Sequence, residues 1–514
     1  MHGTCVLMHA CAYNVRAMKT LKKLFGSVDL TKGTPWKVIL QFLFPIFLSL
    51  CFQQIYSLTD ALIVGQYLPL QFAGVSDTGS LIFIILQFAF GCTSGFSVIT
   101  SKFYGEKNAQ GVRKSFATSI VLSFFVAVVL TAIALLSVPM LLRWIKLDPS
   151  QDPVTYHAAY VYIMVIYGGL ICEVFYNQIC SILRSVGDSL TPLLFLILSS
   201  ILNIGLDFAF IILMPTTDLK VAGAAIATIA AQGLSAVLCF VYTFHKYPNL
   251  RLSKRDFRID WPSVKEHLKQ GLPLAFQFSI LAVGLIMMQA SVDGFDIGKT
   301  LPDGTAAHYA QDGYGAGGKL FGFLMMAYDA LGTAMLSYTA QNKGAGLPSR
   351  IKKGTTQSFF IMGVIYLFVN VIGLLACING AYLYLFLSAE AIYPQTVFFA
   401  TSYFYEVLPL SFILGLLFIG RNVVQGLEKP LLPFLAGVAE LVARLLACAF
   451  LPALINPTDP TSNASFYGVS LADPLAWAFA CLFLIYGLIR YVYQDKEPDT
   501  PQGSPLLLEH HCEK

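Results

Sequence analysis

Residues 116–142, FATSIVLSFFVAVVLTAIALLSVPMLL, run without one charged side chain. About 20 such residues carry a helix across the ~30 Å hydrocarbon core of a bilayer. Lipid offers the backbone no hydrogen-bond partner, so a run of this length must satisfy itself as a helix. Working outward from it, the same character recurs at 36–64, 72–100, 156–182, 190–214, 221–243, 268–292, 320–338, 358–378, 392–424, 431–454 and 475–493. Composition agrees: 56% of the 514 residues are hydrophobic and 12% charged, about half the charged share of an ordinary soluble domain. The expected fold class is therefore an all-α polytopic membrane protein with twelve transmembrane helices. The loop at 293–318 is long, and its sequence suggests no role.

Charge sets the orientation. Of the 33 Lys and Arg, most precede span one, follow span twelve, or follow an even-numbered span, with Arg421 counted among them. Arg143, Lys146, Lys220, Lys299 and Lys319 fall on the other side, and Arg444 falls inside a span. The positive-inside rule then puts both termini in the cytoplasm of a plasma membrane. The net charge of +4 reflects this sidedness, so lipid headgroups rather than nucleic acid are its expected partners. The eleven cysteines show neither metal nor disulfide spacing. Residues 1–35 and 494–514 read as cytoplasmic tails with little structure, and no ATPase motor is expected in the chain.

The chain repeats itself. Leu43-Phe44-Pro45 is matched by Gly271-Leu272-Pro273, and Ser101-Lys102-Phe103-Tyr104-Gly105 by Ala340-Gln341-Asn342-Lys343-Gly344. Basic pairs follow each glycine, Arg113-Lys114 and Lys352-Lys353, and Gly187 with Pro192 is echoed by Gly426 with Pro430. This divides the chain into an N-lobe at 36–245, a basic linker at 246–262 and a C-lobe at 263–493. Six spans per unit make the repeats parallel, and transporters of this kind hold substrate between halves that rock to alternate access. A duplicated scaffold without transport is the plainer alternative.

An ionisable group at mid-membrane costs roughly 2.5–3.5 kcal/mol on insertion scales, so each needs a reason. Asp60 and Asp207 stand late in spans one and five, at comparable depth in the outer half. Tyr56 and Asn203 lie one turn below them. Two nearby acids resist being ionised together, and such a cluster suits a proton or Na⁺. Helix caps or buried counter-charges would explain the acids structurally, but the one Lys or Arg within the N-half spans, Lys37, stands at the very start of span one, far from both. At the matching C-half positions stand Glu440 and Arg444, read as a structural ion pair. Glu173 and Asn177 are further in-membrane polar groups. Glu406, Asp329, Gln54 and Gln277 are candidates for lining a substrate cavity. No catalytic constellation is visible among the eight His, and no metal site beyond possible Na⁺ at Asp60 and Asp207.

The run Tyr176-Asn177-Gln178-Ile179-Cys180-Ser181-Ile182-Leu183-Arg184-Ser185-Val186-Gly187-Asp188-Ser189-Leu190-Thr191-Pro192, followed by Asn203-Ile204-Gly205-Leu206-Asp207, resembles the multidrug and toxic compound extrusion (MATE) family. So do Leu58-Thr59-Asp60-Ala61-Leu62-Ile63-Val64-Gly65, Ala222-Gly223-Ala224-Ala225-Ile226-Ala227-Thr228 and Ala340-Gln341-Asn342-Lys343-Gly344-Ala345-Gly346. The resemblance covers about residues 36–493. It implies two six-helix lobes in a V, acting as a monomer that needs no cofactor and exports drug-like small molecules in exchange for H⁺ or Na⁺. It further implies a cation site of Asp60, Tyr56, Asn177, Asn203, Asp207 and Thr228. Where some members carry an acid on helix seven, this chain has Gln277 and Gln289, which weighs against a second Na⁺ site. The alternatives are a lipid-linked oligosaccharide or polysaccharide flippase of the same superfamily and a membrane-embedded enzyme.

Overall fold

The computed structural model describes residues 27–494 except 146, 151, 302 and 303, together with 498 and 499. Fourteen α-helices carry nearly all of them. The first half holds α1 (Pro35–Tyr67), α2 (Pro69–Gly105), α3 (Ala109–Trp144), α4 (Pro153–Gly168), α5 (Leu170–Ser185), α6 (Leu190–Leu213) and α7 (Thr217–Lys246). The second holds α8 (Trp261–Asp293), α9 (Tyr309–Gly344), α10 (Pro348–Cys377), α11 (Pro394–Gly426), α12 (Leu431–Ile455), α13 (Asn463–Ser470) and α14 (Ala472–Leu488). Pro35, Pro69, Pro153, Pro348 and Pro394 stand at helix starts, where a missing N–H breaks no intrahelical bond. Eleven helical stretches are long and apolar enough to cross a membrane, and a bent pair makes twelve.

That bent pair corrects one expectation. The fourth span is not one rod over 156–182. It breaks at Gly168-Gly169, where α4 and α5 meet at 48°. Two successive glycines weaken helix propensity at one point. The Ile229 side chain fills the space a Cβ on Gly169 would need. Two more boundaries move. The loop 293–318 shrinks because α9 already begins at Tyr309, and the last span is built from α13 and α14 with a π-helical end at Ile489–Tyr493.

The N-terminal tail is corrected as well. The part of it before residue 27, and nearly all of 494–514, lie outside the described residues. Residues 27–34 are docked. Val28 and Leu30 are buried. The Val28 amide donates to the Gly187 carbonyl at 2.8 Å. The Leu30 carbonyl accepts from Asn342 at 3.1 Å, and Arg350 donates to the carbonyls of Leu30, Lys32 and Gly33. One strap thus touches both halves. Gly187 makes this possible: its φ is +84° and Val28 leaves no room for a Cβ. Gly187→Ala should therefore cost about 1–2 kcal/mol of stability, read as a lower unfolding midpoint in detergent. An unchanged midpoint would show that the strap does not depend on this turn.

The halves meet at the end that carries the basic loops, called the basic end below. Gly91 and Gly95 of α2 approach the backbone of α8 at Ala275 and Gly271, the close small-residue crossing that membrane helices use in place of a hydrophobic driving force. Gly105, closing α2, abuts the Gln341 backbone, and Gly344, closing α9, abuts the Lys102 backbone. The repeat motif is therefore a reciprocal crossing. Polar bonds follow the same pattern. Gln341 donates to the Ser185 carbonyl at 2.7 Å, and Ser115 bonds His267 at 2.9 Å. Lys102 pairs with Glu266 at 3.2 Å and Glu428 at 3.1 Å, and Lys343 pairs with Glu428.

Candidate functional site

Within the first half, α1, α6 and α7 bring their polar residues to one point. Asp207 and Asn203 are one turn apart on α6 and fully buried. Asp60 of α1 reaches hydrogen-bonding contact with Asp207. Two carboxyls make that contact only by sharing a proton. One oxygen of each, Oδ1, is buried without a further partner. With its amide nitrogen turned towards the carboxylate, Asn203 donates to Asp207 Oδ2 at 2.9 Å and accepts from Thr228 Oγ1 of α7 at 3.3 Å. Tyr56, one turn below Asp60, bonds Thr228 and lies within electrostatic reach of Asp60, Asp207 and Glu173.

Five of the six residues implied for the cation site are thus in one cluster. Asn177 stands a step away: its amide donates to Glu173 at 2.9 Å on α5, and Glu173 links it to Tyr56. Tyr162 of α4, fully enclosed and facing Asp60, Tyr56 and Asp207, belongs to the same pocket. Nothing in the sequence marked it, because a single tyrosine on an apolar helix has no spacing signature.

At the matching positions of the second half the acid is paired instead. Glu440 and Arg444 of α12 do pair, at 3.1 Å. They are the middle of a longer chain, in which Arg421 of α11 bonds Glu440 at 2.7 Å and Arg444 bonds Asp473 of α14 at 2.9 Å. Arg421 is therefore buried in the membrane part and does not belong with the cytoplasmic charges. Tyr403 donates to Asp473 at 3.2 Å, and Gln277, fully buried, is placed to accept from Arg421 at 2.8 Å. Two cations alternate with two anions, so the network is neutral. Removing one member leaves a buried charge unpaired at a cost of about 3–5 kcal/mol. Arg444→Leu should accordingly abolish accumulation of folded protein, measured as the monodisperse fraction after extraction. Wild-type yield from that variant would contradict a structural role.

The cavity candidates do not converge. Gln277 sits in that ion network. Glu406 of α11 bonds Ser470, and its second oxygen is buried without a partner. Asp329 of α9 bonds Thr333 and faces Arg184 from the first half and Arg421 from the second. Gln54 is half-buried on α1, turned off the Asp60–Tyr56 face by helical spacing. Among the described residues no group of three His, Cys, Asp or Glu is arranged to hold a metal ion.

The family model described as MatE matches residues 45–209 and 309–450, spans that contain Asp60, Asp207 and the C-half positions Glu440 and Arg444. The chain belongs to the MatE family. It is therefore a multi-pass membrane transporter and not an enzyme. Among its relatives, the "Probable multidrug resistance protein YoeA" of Bacillus subtilis is 23% identical over 493 residues, 93% of this chain and 99% of that protein. An "FAD transporter" of Shewanella oneidensis is 26% identical, covering 84% of this chain and 89% of that one. Two solved structures share the fold. One is an outward-facing conformation of a multidrug resistance MATE transporter, with TM-score 0.77 and 19% identity. The other is a superfamily transporter from Pyrococcus furiosus described by a reversed polarity of its binding pocket, with TM-score 0.78 and 21% identity. Each covers 91% of this chain and 98% of its own. Two six-helix lobes in a V are thus the MatE architecture of this chain.

Proposed function

We propose that this MatE protein is an antiporter of the plasma membrane that exports amphipathic, drug-like molecules in exchange for a cation entering at Asp60 and Asp207. The observation that carries the reading is the direct contact of those two carboxyls, neither of which pairs with a lysine or arginine among the described residues. Asn203, Thr228 and Tyr56 supply the remaining polar ligands. Contact between the acids favours H⁺ over Na⁺, since a bound Na⁺ would sit between the oxygens and hold them apart. The relatives named as multidrug resistance proteins point to drug-like cargo.

The halves are joined at the basic end by Lys102, Glu266, Glu428 and Lys343, which the charge bias puts at the cytoplasm. That is the state open to the outside, ready to take up the cation and release cargo. Uptake of the cation at the cluster would alter how α1, which carries Pro45 in its interior, packs on α6, and the lobes would then rock. One charge moving down 100 mV supplies about 2.3 kcal/mol, enough for roughly fiftyfold concentration of a neutral solute. The test is purified protein in liposomes loaded with a cationic dye, under an imposed pH gradient and separately a Na⁺ gradient. Efflux under the first and not the second is expected; efflux indifferent to both would end the antiport reading.

A second reading concerns cargo. Arg184, half-buried on α5 opposite Asp329, makes no ion pair among the described residues. A free guanidinium there suits an anionic aromatic cargo of the kind the FAD transporter is named for. Competition between a flavin nucleotide and the cationic dye in the same liposomes separates the two.

A further inference from the structure

We propose that the groove between α3, α5 and α7 at the basic end is a binding site for one anionic phospholipid of the adjoining leaflet. Phe175, Phe240 and Phe244 form its wall and Ile120 its floor, in a space of about 680 Å³. The Phe240 ring lies 6.3 Å from Phe175 and 6.1 Å from Phe244, so the wall is one continuous aromatic face. Val237 and Val241 at the rim are 59% and 54% exposed, which opens the groove sideways to lipid. From Val237 to the end of α7 the groove runs about 13 Å at 1.5 Å per residue. That is nearly half of the ~30 Å hydrocarbon core, the depth of one leaflet.

The mouth supplies the charge. Arg251 lines it, and its Nε donates to the Phe244 carbonyl at 2.7 Å. This bond fixes the guanidinium at the mouth by one N–H and leaves its other N–H groups without a hydrogen bond to the described residues. Both acids of the loop, Asp256 and Asp260, are engaged by Arg113 at 3.7 Å and Lys114 at 2.7 Å of α3. Arg251, Lys254, Arg255 and Arg258 are exposed and form no ion pair among the described residues. A phosphate diester with no ammonium of its own matches this excess of unpaired cations, whereas a zwitterionic headgroup brings a charge that it repels. The apolar wall selects an acyl chain, and Arg251 selects its headgroup.

The experiment is native mass spectrometry of the purified full chain, offered phosphatidylglycerol and phosphatidylcholine at equal concentration. Wild-type protein should retain one phosphatidylglycerol in clear preference, and Arg251→Gln should reduce that preference about fivefold, the effect of one interfacial cation. Val241→Trp, a change at an exposed rim residue that leaves the basic loop intact, should block the chain's entry and lower retention by a similar factor. Equal retention of the two lipids by the wild type would overturn the proposal. Unchanged phosphatidylglycerol retention in Val241→Trp would do the same, by placing the lipid elsewhere. Both variants are compared as monodisperse protein, so loss of fold is not mistaken for loss of lipid.

Discussion

Asp207→Asn is expected to reduce gradient-driven efflux to the level of protein-free liposomes while leaving the helix bundle folded. Asparagine keeps the size of the side chain and can still accept from Asn203. It removes the one group with which Asp60 shares a proton. The buried residue loses an ionisable function in a place where ionisation is costly, so folding should be unharmed or slightly helped. Asp60→Asn should behave alike, because either change destroys the pair. Binding of dye should survive in both, since no cargo contact is assigned to these residues. Efflux near the wild-type rate in either variant would show that the exchanged ion passes elsewhere. The expected phenotype is an intact protein that binds dye but cannot be driven.

The fold was legible because hydropathy is a one-dimensional property. An uncharged run such as 116–142 has one outcome in lipid, whatever its neighbours do. The acid pair was legible for the same reason, since Asp60 and Asp207 stand alone in apolar surroundings. What the sequence hid depends on partners far along the chain. The strap at 27–34 has only Val28 and Leu30 to bury, too few to show a period, and its hydrogen bonds go to Gly187, Asn342 and Arg350. Arg421 stands near the end of its span, where charge counting assigns it to the loop, yet α11 runs on to Gly426. Asp473 falls just outside the expected start of the last span, although α13 and α14 begin earlier. A carboxylate directly before Pro474, inside an apolar stretch, was the available signal for it. The Gly168-Gly169 pair likewise marked the break between α4 and α5.

Gly105→Leu should stop the halves from closing at the basic end, and with that stop transport altogether. The Gln341 backbone lies where the new Cβ must go, and neither helix can yield without parting from its neighbour. Transport needs both end states, so a protein held open on one side turns over no cargo. Ala340, 1% exposed at the crossing, reports the state. As Ala340→Cys in a chain freed of its native cysteines, it should react with an impermeant maleimide from the basic side in the Gly105→Leu background and resist it otherwise.

Glu428→Gln is the graded counterpart. The Glu428 carboxylate joins Lys102 of the first half to Lys343 of the second, so its loss leaves Lys343 without an ion pair and Lys102 with Glu266 alone. At about 1.5 kcal/mol for a charged hydrogen bond, the shift towards the open state is about tenfold, with partial labelling at Ala340→Cys. Burial alone would raise the Glu428 pKa, but Lys343 and Lys102 hold it below the usual carboxylate range. A depressed carboxylate contributes above that range and loses its contribution as pH falls through its own lowered value. The lock therefore stays charged at neutral pH and releases only in acid well below it. Labelling of Ala340→Cys that is the same with glycine or leucine at 105 would mean that the halves part along some other seam, and the reciprocal crossing would then be packing alone.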